Sequence, residues 1–477
     1  MARINTNVGA IVANTNLAKS QKSLNQSLQR LSSGMRINSG ADDPAGLIAS
    51  ETLRSEIQGI STAIDNSTRA SNVITTADGA LSEVSNLLVS IKGLVVQAAN
   101  TGGLSPDEIE ANQLQVDSAI ASITRISNST SFAGLKLLDG SLDYITSGVT
   151  TSALHDVHIH NAAFGTASTI PVVVNVLASA RTASLRFQAS AITKSVTLEI
   201  AGRVGVQVLS FTSGTKASAI AFAINRVSDS TGVAANVTSA TNASSGITFS
   251  TLGYGSREFV SVNVLGDAST FPTTNSTGAS QLRAVGQDAI ASINGTQAIG
   301  EGLNLSLNTA GLSLDMTLDA AFGLGTKSFT ITGGGAVFQL GGAVQSNQQV
   351  NIGIGSVSAS RLGSALDGYL TDIVTGGSAS LAKNPARASK IIDDAINQVA
   401  IMRGRLGAFE KNTLQTNINS LQVALENVTA SESSIRDTDF ASETSALTRN
   451  QILVQAGTSV LAQANSTPQS VLSLLKG

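Results

Sequence analysis

Apolar residues near the start of the chain recur in steps of three and four. Leu17, Leu24, Leu28, Leu31 and Met35 are spaced 7, 4, 3 and 4 apart, the seam of a heptad-repeat helix. Ile4, Val8 and Ile11 supply an earlier step of 4 and 3. The segments LSSG and RINSGADDPAG then interrupt the pattern, with Gly34, Gly40 and Pro44 as breakers. Asp42 or Asp43 is placed to cap a second helix that has Pro44 in its first turn. That helix is expected to run through Leu53, Ile57, Ile60 and Ile64 and on past Ile74 to Val96. TGGLSPDE (101–108) ends it. Ser105 is then the expected N-cap, and Pro106 the first residue, of a third helix carrying Leu114, Ile120, Ile123 and Ile126.

The far end mirrors this pattern. Ala395, Val399, Met402, Leu406 and Phe409 are spaced 4, 3, 4 and 3. Leu414, Ile418, Leu421, Leu425 and Val428 repeat the spacing in a shifted register. The extra residues at 410–413 break phase without ending the helix, since a stutter only unwinds a coiled coil locally. Leu447, Val454 and Leu461 follow, seven apart.

Between these ends, residues 132–380 read as strand and turn. SVTLEIAG and GVQVLSF (195–211) alternate in the strand manner, SAIAFAINRV (218–227) reads as a short helix, and GITFST and EFVSVNVL (246–265) are strands again. DAIASING, LNLSLNT and LSLDMTLD continue the pattern to Asp319. One or two small α+β domains are expected here. An isolated helix with such a seam exposes it to water. Two matched seams at opposite ends of one chain therefore predict that the ends pack on each other while the middle loops out.

Composition changes this picture in two ways. There is no Cys and no Trp among 477 residues, and aromatic residues make up only 3%. Long helices and thin sheets are expected rather than one thick core. The lack of Cys excludes disulfides, thiolate metal sites and Cys nucleophiles. A net charge of −3 with no basic patch argues against nucleic acid as a partner. The first residues lack the continuous apolar run of a secretory signal, and no stretch reads as the roughly 18 apolar residues that span a bilayer. No membrane partner is expected, and any export is expected to proceed without a cleaved signal.

Candidate chemistry is sparse. His155, His158 and His160 lie close together in LHDVHIHN, and in a strand His158 and His160 would share a face. Without a nearby H-E-x-x-H motif, a polar loop or strand edge is the preferred reading over a metal site. Gly333–Gly335 lack the Lys-Ser or Lys-Thr of a phosphate loop and are read as a turn. Asp393 and Asp394 are adjacent on a helix and face different directions, as on a solvated face. Asn-x-Ser/Thr triplets at Asn236 and Asn275 are read as ordinary polar turns. No catalytic, cofactor or metal residue is assigned.

Several segments resemble bacterial flagellin. LSSGMRINSGADDPAG (31–46) is similar to its N-terminal motif. RGRLGAFEKN (403–412) and SESSIRDTDFASETSALTRNQILVQAGTSVLAQAN (431–465) are similar to its C-terminal signature. TSFAGLKLLDG (130–140) and AVFQLGGAVQSNQQVNIGIG (336–355) resemble the two sides of a hairpin region on its tube wall. Residues 195–265 resemble a small inserted repeat marked by an Ile-Asn pair, here Ile224-Asn225, with Ile293-Asn294 as a candidate second pair.

The resemblance implies an α+β multidomain chain. Its N- and C-terminal coiled-coil helices would pack together as a tube-forming core, with a β-rich α+β insertion projecting outward. Residues 1–40 and 440–477 would line the inner tube. Residues 41–140 and 336–439 would form the outer tube and hairpin, and 141–335 the variable outer domains. Leu24, Leu28, Leu31, Leu414, Ile418, Leu421, Leu425, Leu447, Val454 and Leu461 are then the expected self-assembly seams. The resemblance further implies head-to-tail polymerisation into an extracellular flagellar filament. It also implies export through the flagellar type III apparatus, a chaperone on 447–475, and filament cap and junction proteins as partners. A hook–filament junction protein is the alternative, followed by an adhesin or enzyme carried by the insert.

Many family members carry O-linked sugars on their middle domains; no residue is assigned here. Many are also recognised by a Toll-like receptor through outer-tube helices. Leu94 matches that contact segment, whereas Ser90 and Gln115 stand where an Arg and a Glu are expected.

Overall fold

The first three helices start on side-chain caps, and the first ends on a left-handed glycine. The computed structural model describes residues 6–165, 167–238, 246–267 and 270–475, so Ile4 lies outside the described residues. Helix α1 (Val8–Ser33) takes Asn7 as its N-cap and ends at Gly34, whose φ of 73° is left-handed. Helix α2 (Pro44–Ala98) follows Asp43, whose carboxylate accepts from the Gly46 N–H. Helix α3 (Pro106–Ser129) opens with a capping box between Ser105 and Glu108. Short helices α4 (Ala217–Asn225) and α5 (Ser228–Thr231) lie in the β-rich middle, and α6 (Pro385–Phe409), α7 (Gln415–Arg436) and α8 (Phe440–Leu475) complete the chain.

Between α6 and α7 the helix does not break. Residues Glu410–Leu414 form a single π-helical turn. Phe409 to Leu414 is five residues where the heptad spacing requires four. The wider turn absorbs the extra residue and keeps Leu406 and Leu414 on the buried side.

The chain divides into two compact units: Met1–Ala70, Gln339–Gln348 and Lys411–Gly477 in one, Ser71–Phe338 and Gln349–Glu410 in the other. The divisions fall inside α2 and at the π turn, not at the breaks near residues 40 and 440.

In the second unit the later part of α2 runs antiparallel to α6. Asp78 pairs with Arg403 at 2.9 Å, Lys92 pairs with Asp393 at 2.6 Å, and Ser71 and Thr75 donate to Glu410. The buried stripe of α2 here is Ile74, Ala77, Leu81, Val84, Leu88, Ile91, Val95 and Ala98. Those positions alternate steps of three and four without a fault. By length and composition α2 is apolar enough to cross a bilayer, contrary to the sequence expectation. Its exposed positions carry Thr75, Thr76, Glu83, Ser90 and Gln97, so it is an amphipathic helix of a packed unit.

The β-rich middle is two sandwiches, one inserted in the other. The first packs a five-stranded sheet (order Thr296–Gln297, Ile290–Ile293, Ile170–Ala178, Gly325–Gly334, Tyr144–Ser147) on a four-stranded one (Ile299–Glu301, Asn304–Asn308, Leu312–Leu318, Leu154–Ala162). Val172, Val174, Leu305, Leu314 and Phe329 are among its core residues. It contains no α-helix among the described residues, so only the second sandwich is the expected α+β type.

The second enters after Ala178 and leaves before Ile290. It joins sheets built on Ser184–Phe187 and Ile247–Thr251, and on Val196–Gly202 and Phe259–Val264, with α4 packed in. Phe187 and Phe271 stack in its core at 3.8 Å. Where the chain crosses between sandwiches, Arg181 and Gln287 exchange backbone hydrogen bonds of 2.8 and 2.9 Å.

The segments 130–140 and 336–355 each close a hairpin of their own, rather than supplying two sides of one. Ser131–Phe132 pairs with Leu135–Lys136, and Ala336–Gln339 pairs with Gln349–Ile352. Their continuations then meet: Ile354 N–H donates to Leu142 O at 3.0 Å and Val357 N–H to Leu138 O at 3.1 Å. Gly333–Gly335 all have positive φ. A Cβ at Gly334 would sit 2.2 Å from the Asp143 carbonyl oxygen, so close backbone approach explains this run.

Candidate assembly surface

In the first unit α1 and α8 pair antiparallel along their length. The Asn7 amide donates to Ala464 O at 2.7 Å, Leu17 packs on Gly457, Asn450 donates to Ser27, and Arg30 pairs with Glu443 at 3.5 Å. Mutual packing of the two ends, inferred from their separate seams, is therefore present. Of the expected seam residues, Leu24, Leu31, Leu447, Val454 and Leu461 are half-buried along the pair. Leu28 is 48% exposed. On α7, Leu414 is fully buried and Ile418, Leu421 and Leu425 are half-buried.

Two helices cannot enclose a core, and this pair buries only Ala13, Leu17 and Ser27 from α1. A second set of apolar side chains faces outward: Val8, Ile11 and Val12 on α1, and Ile452, Leu453 and Val460 on α8, each 47–61% exposed. The heptad reading counted Val8 and Ile11 in an early step of 4 and 3 but missed Val12 and the three on α8. The signal that finds them is the second seven-residue step, Leu453 to Val460, on a neighbouring face of α8.

The interruptions near both ends of the chain coincide in space. Met35 and Asp437 form a β-bridge, Arg36 N–H donates to Arg436 O at 2.7 Å, and Thr438 N–H donates to Gly34 O at 2.9 Å. The Arg36 guanidinium caps the α7 carbonyl of Ile435, and Arg436 reaches Glu51 at 2.8 Å. Asp42 fastens the 38–42 turn by accepting from the Ser39 and Asn38 N–H groups, the Ser39 hydroxyl and Gln26. The Ser39 backbone N–H above all holds the Asp42 carboxyl below its ordinary range. The motif 31–46 is thus a fitted corner between helices.

The tip 339–348 rests on this same unit. Asn417 donates to Leu340 O at 2.8 Å and to Ser67 Oγ at 3.1 Å. Gly59 meets Gly342 backbone to backbone, and a Cβ on Gly59 would lie 2.9 Å from Gly342 O.

The Ile-Asn pair has a local structural explanation. Ile224 is fully buried. The Asn225 amide donates to Ala235 O at 2.8 Å and accepts from Ala235 N–H at 2.7 Å. Strand Val233–Val237 is the edge of its sheet, so Asn225 satisfies backbone groups that no neighbouring strand reaches. Ile293-Asn294 has a different setting. Asn294 (φ 48°) and Gly295 (φ 81°) form the two-residue turn of a hairpin, while the Asn294 side chain holds Val173 and Pro171.

The remaining candidates are occupied structurally. His155 pairs with Asp319 at 3.0 Å, His160 with Asp315, and His158 is exposed. Asp393 is exposed, but Asp394 is half-buried and accepts from Ser364 at 2.8 Å. Burial, with Asp367 and Asp393 nearby, pushes its carboxyl up. Only one of the two therefore lies on a solvated face. Asn275 accepts from Thr277 and Ala279 in a polar turn. Leu94 is half-buried, and Ser90 and Gln115 are exposed.

The chain matches three family models: the bacterial flagellin N-terminal helical region over 4–143, the C-terminal helical region over 389–475, and the flagellin hook IN motif over 195–252. It is 32% identical to B-type flagellin of Pseudomonas aeruginosa, over 99% of both chains. It is 30% identical to a flagellin of Salmonella rubislaw and 29% identical to polar flagellin F of Vibrio parahaemolyticus, each again over 99% of both chains. The chain belongs to the bacterial flagellins, the structural subunits of the flagellar filament.

Proposed function

We propose that the outward apolar stripe of the α1–α8 pair is the surface on which copies of this chain stack head to tail. The observation that carries this reading is exposure: six aliphatic side chains are about half exposed on a helix pair too thin to cover them. Completing their burial offers roughly 5–9 kcal/mol per subunit before association entropy, taking about half of the full transfer value for each. A non-closing contact between unlike faces generates a helical filament. Leu24, Leu31, Leu447, Val454 and Leu461 then join the two ends within a subunit, and Leu28 belongs to the outward set. Residues 1–40 and 440–477 act as the inner tube, 41–140 and 336–439 as the outer tube, and 141–335 as surface domains without enzymatic activity.

The filament is extracellular in this reading. The subunit leaves through the flagellar type III apparatus, a chaperone covers the α8 surface beforehand, and cap and junction proteins contact the same ends. The test is seeded growth of the full chain carrying Leu453→Ser and Val460→Ser. Helix content should match the native chain, and elongation measured by light scattering and electron microscopy should fall at least tenfold. Native elongation by this variant overturns the placement. Native chain that adds to no seed favours the junction protein instead.

A further inference from the structure

We propose that His160, Asp315 and Arg405 form an acid-released clamp tying the strand pair Leu154–Ala162 and Leu312–Leu318 to helix α6. His160 Nε2 is hydrogen-bonded to Asp315 Oδ1, and Arg405 Nη2 donates to the same oxygen at 3.0 Å. One carboxylate oxygen thus serves two elements, an imidazole from the neighbouring strand and a guanidinium from the helix. The ladder is irregular at this point: the register shifts on both sides of Leu314-Asp315, and His160 is the unpaired residue between Ile159 and Asn161. Such a bulge re-aims a side chain.

The groups around His160 are few. Asp315 faces it from the partner strand, Arg405 from α6, and His158 from its own strand. Strand Gln349–Ile352, whose neighbour Gly353 donates to His160 O at 3.1 Å, carries no charge. His155 and Asp319 form a separate pair nearer the strand end.

Neutral His160 donates one N–H to a carboxylate that also holds Arg405. Adding a proton places a second cation beside Arg405 in a half-buried site. Burial first, then Arg405 and His158, oppose that charge and outweigh the attraction of Asp315, which holds the imidazole below its ordinary value. An opened clamp lets the imidazole titrate normally. The opened form therefore binds more protons below the ordinary histidine value, so acid favours opening. Asp315 acts in the same sense at lower pH. Burial pushes it up, but His160 and Arg405 outweigh this and hold it low, so its contribution also disappears on acidification.

The test uses the full-length monomer. With three histidines in the chain, 13C-labelled imidazoles can each be assigned by single substitution. His160 should titrate below the ordinary value of about 6.5. Amide exchange in 154–162 and 312–318, corrected for intrinsic rates, should quicken several-fold from about pH 7.5 to about pH 5. Each unit of depression corresponds to about tenfold. His160→Gln keeps an amide donor and removes titration, and should flatten that profile; His158→Gln removes only one of the charges opposing a protonated His160 and should keep the acid response in weakened form. A His160 titration at or above the ordinary value, or a His160→Gln chain that still loosens in acid, overturns the proposal. The imidazole titration of the native chain decides the matter even if the variant folds poorly.

Discussion

Replacing Asn225 with Ala removes one side chain and leaves two backbone groups stranded. Ala235 is 1% exposed, and its N–H and C=O both end on Asn225. Its strand is an edge, so no other strand can take these groups over. An unsatisfied buried donor or acceptor costs about 1–3 kcal/mol. The loss for the inserted sandwich is therefore roughly 2–5 kcal/mol, against well under 1 kcal/mol for a plain surface substitution. Asn225→Asp should fall in between, since it keeps the acceptor for Ala235 N–H and turns the other oxygen against a carbonyl.

The chain divides into two compact units, so a single melting temperature is the wrong readout. Native-state hydrogen exchange at residues 233–237 and 247–251 reports the sandwich directly. Protection there should fall by more than about thirtyfold, while protection in α2 and α6 stays native. A loss under about 0.5 kcal/mol would refute the account of the Ile-Asn pair as a backbone clamp.

Two glycines of α2 should respond with opposite signs. Gly79 has open space around a built Cβ, so Gly79→Ala should stabilise by up to about 1 kcal/mol through helix propensity. Gly59→Ala meets the Gly342 carbonyl and should instead cost about 1–3 kcal/mol, visible as faster exchange or proteolysis of 339–348. Asp42 has a lowered carboxyl value, so its contribution is present above the ordinary value of 3.8 and is lost as pH falls through the lowered one. Exchange at residues 38–42 should quicken across that window in the native chain, and Asp42→Asn should show fast exchange at all pH. With Ser90 and Gln115 in place of charged contacts, activation of the Toll-like receptor should be weak. Reporter cells responding as they do to a strongly stimulating flagellin would contradict this.

Helix ends were legible because each carries its own chemistry: Ser105 with Glu108, Asp43 with Pro44, Gly34 with its left-handed φ. Seams were legible only where they use large residues. Ala63, Ser67, Ala70 and Ala77 occupy buried seam positions of α2, and neither Ser nor Ala announces a buried face. Leu114, by contrast, reads as core and is 63% exposed, while its neighbours Asn112 and Gln113 are buried. Gln113 earns its place through bonds to Ile373 O and Leu381 N–H, partners more than 250 residues away.

The first sandwich was largely hidden for the same reason. Strand Ile170–Ala178 pairs with Gly325–Gly334 across the whole inserted sandwich, and local alternation carries no record of that partner. The outward stripe on α8 was overshadowed by the stronger seam beside it. Phase at 410–414 was read correctly, but a π turn rather than a coiled-coil stutter absorbs it.

The pairing of α1 with α8 also dictates an order of events. Asn7 and its partner Ala464 are 457 positions apart. Closing a flexible loop of that length costs on the order of 5 kcal/mol in chain entropy, and every intervening domain that folds first shortens the loop. The sandwiches, whose contacts are closer in sequence, can therefore form early and lower the cost of bringing the ends together. A chain emerging from its N-terminus cannot complete this helix pair until α8 is free, so a product cut before α8 lacks the pair however well its middle has folded. The last step of folding is thus a test of completeness: only a chain made through α8 presents α1 and α8 side by side.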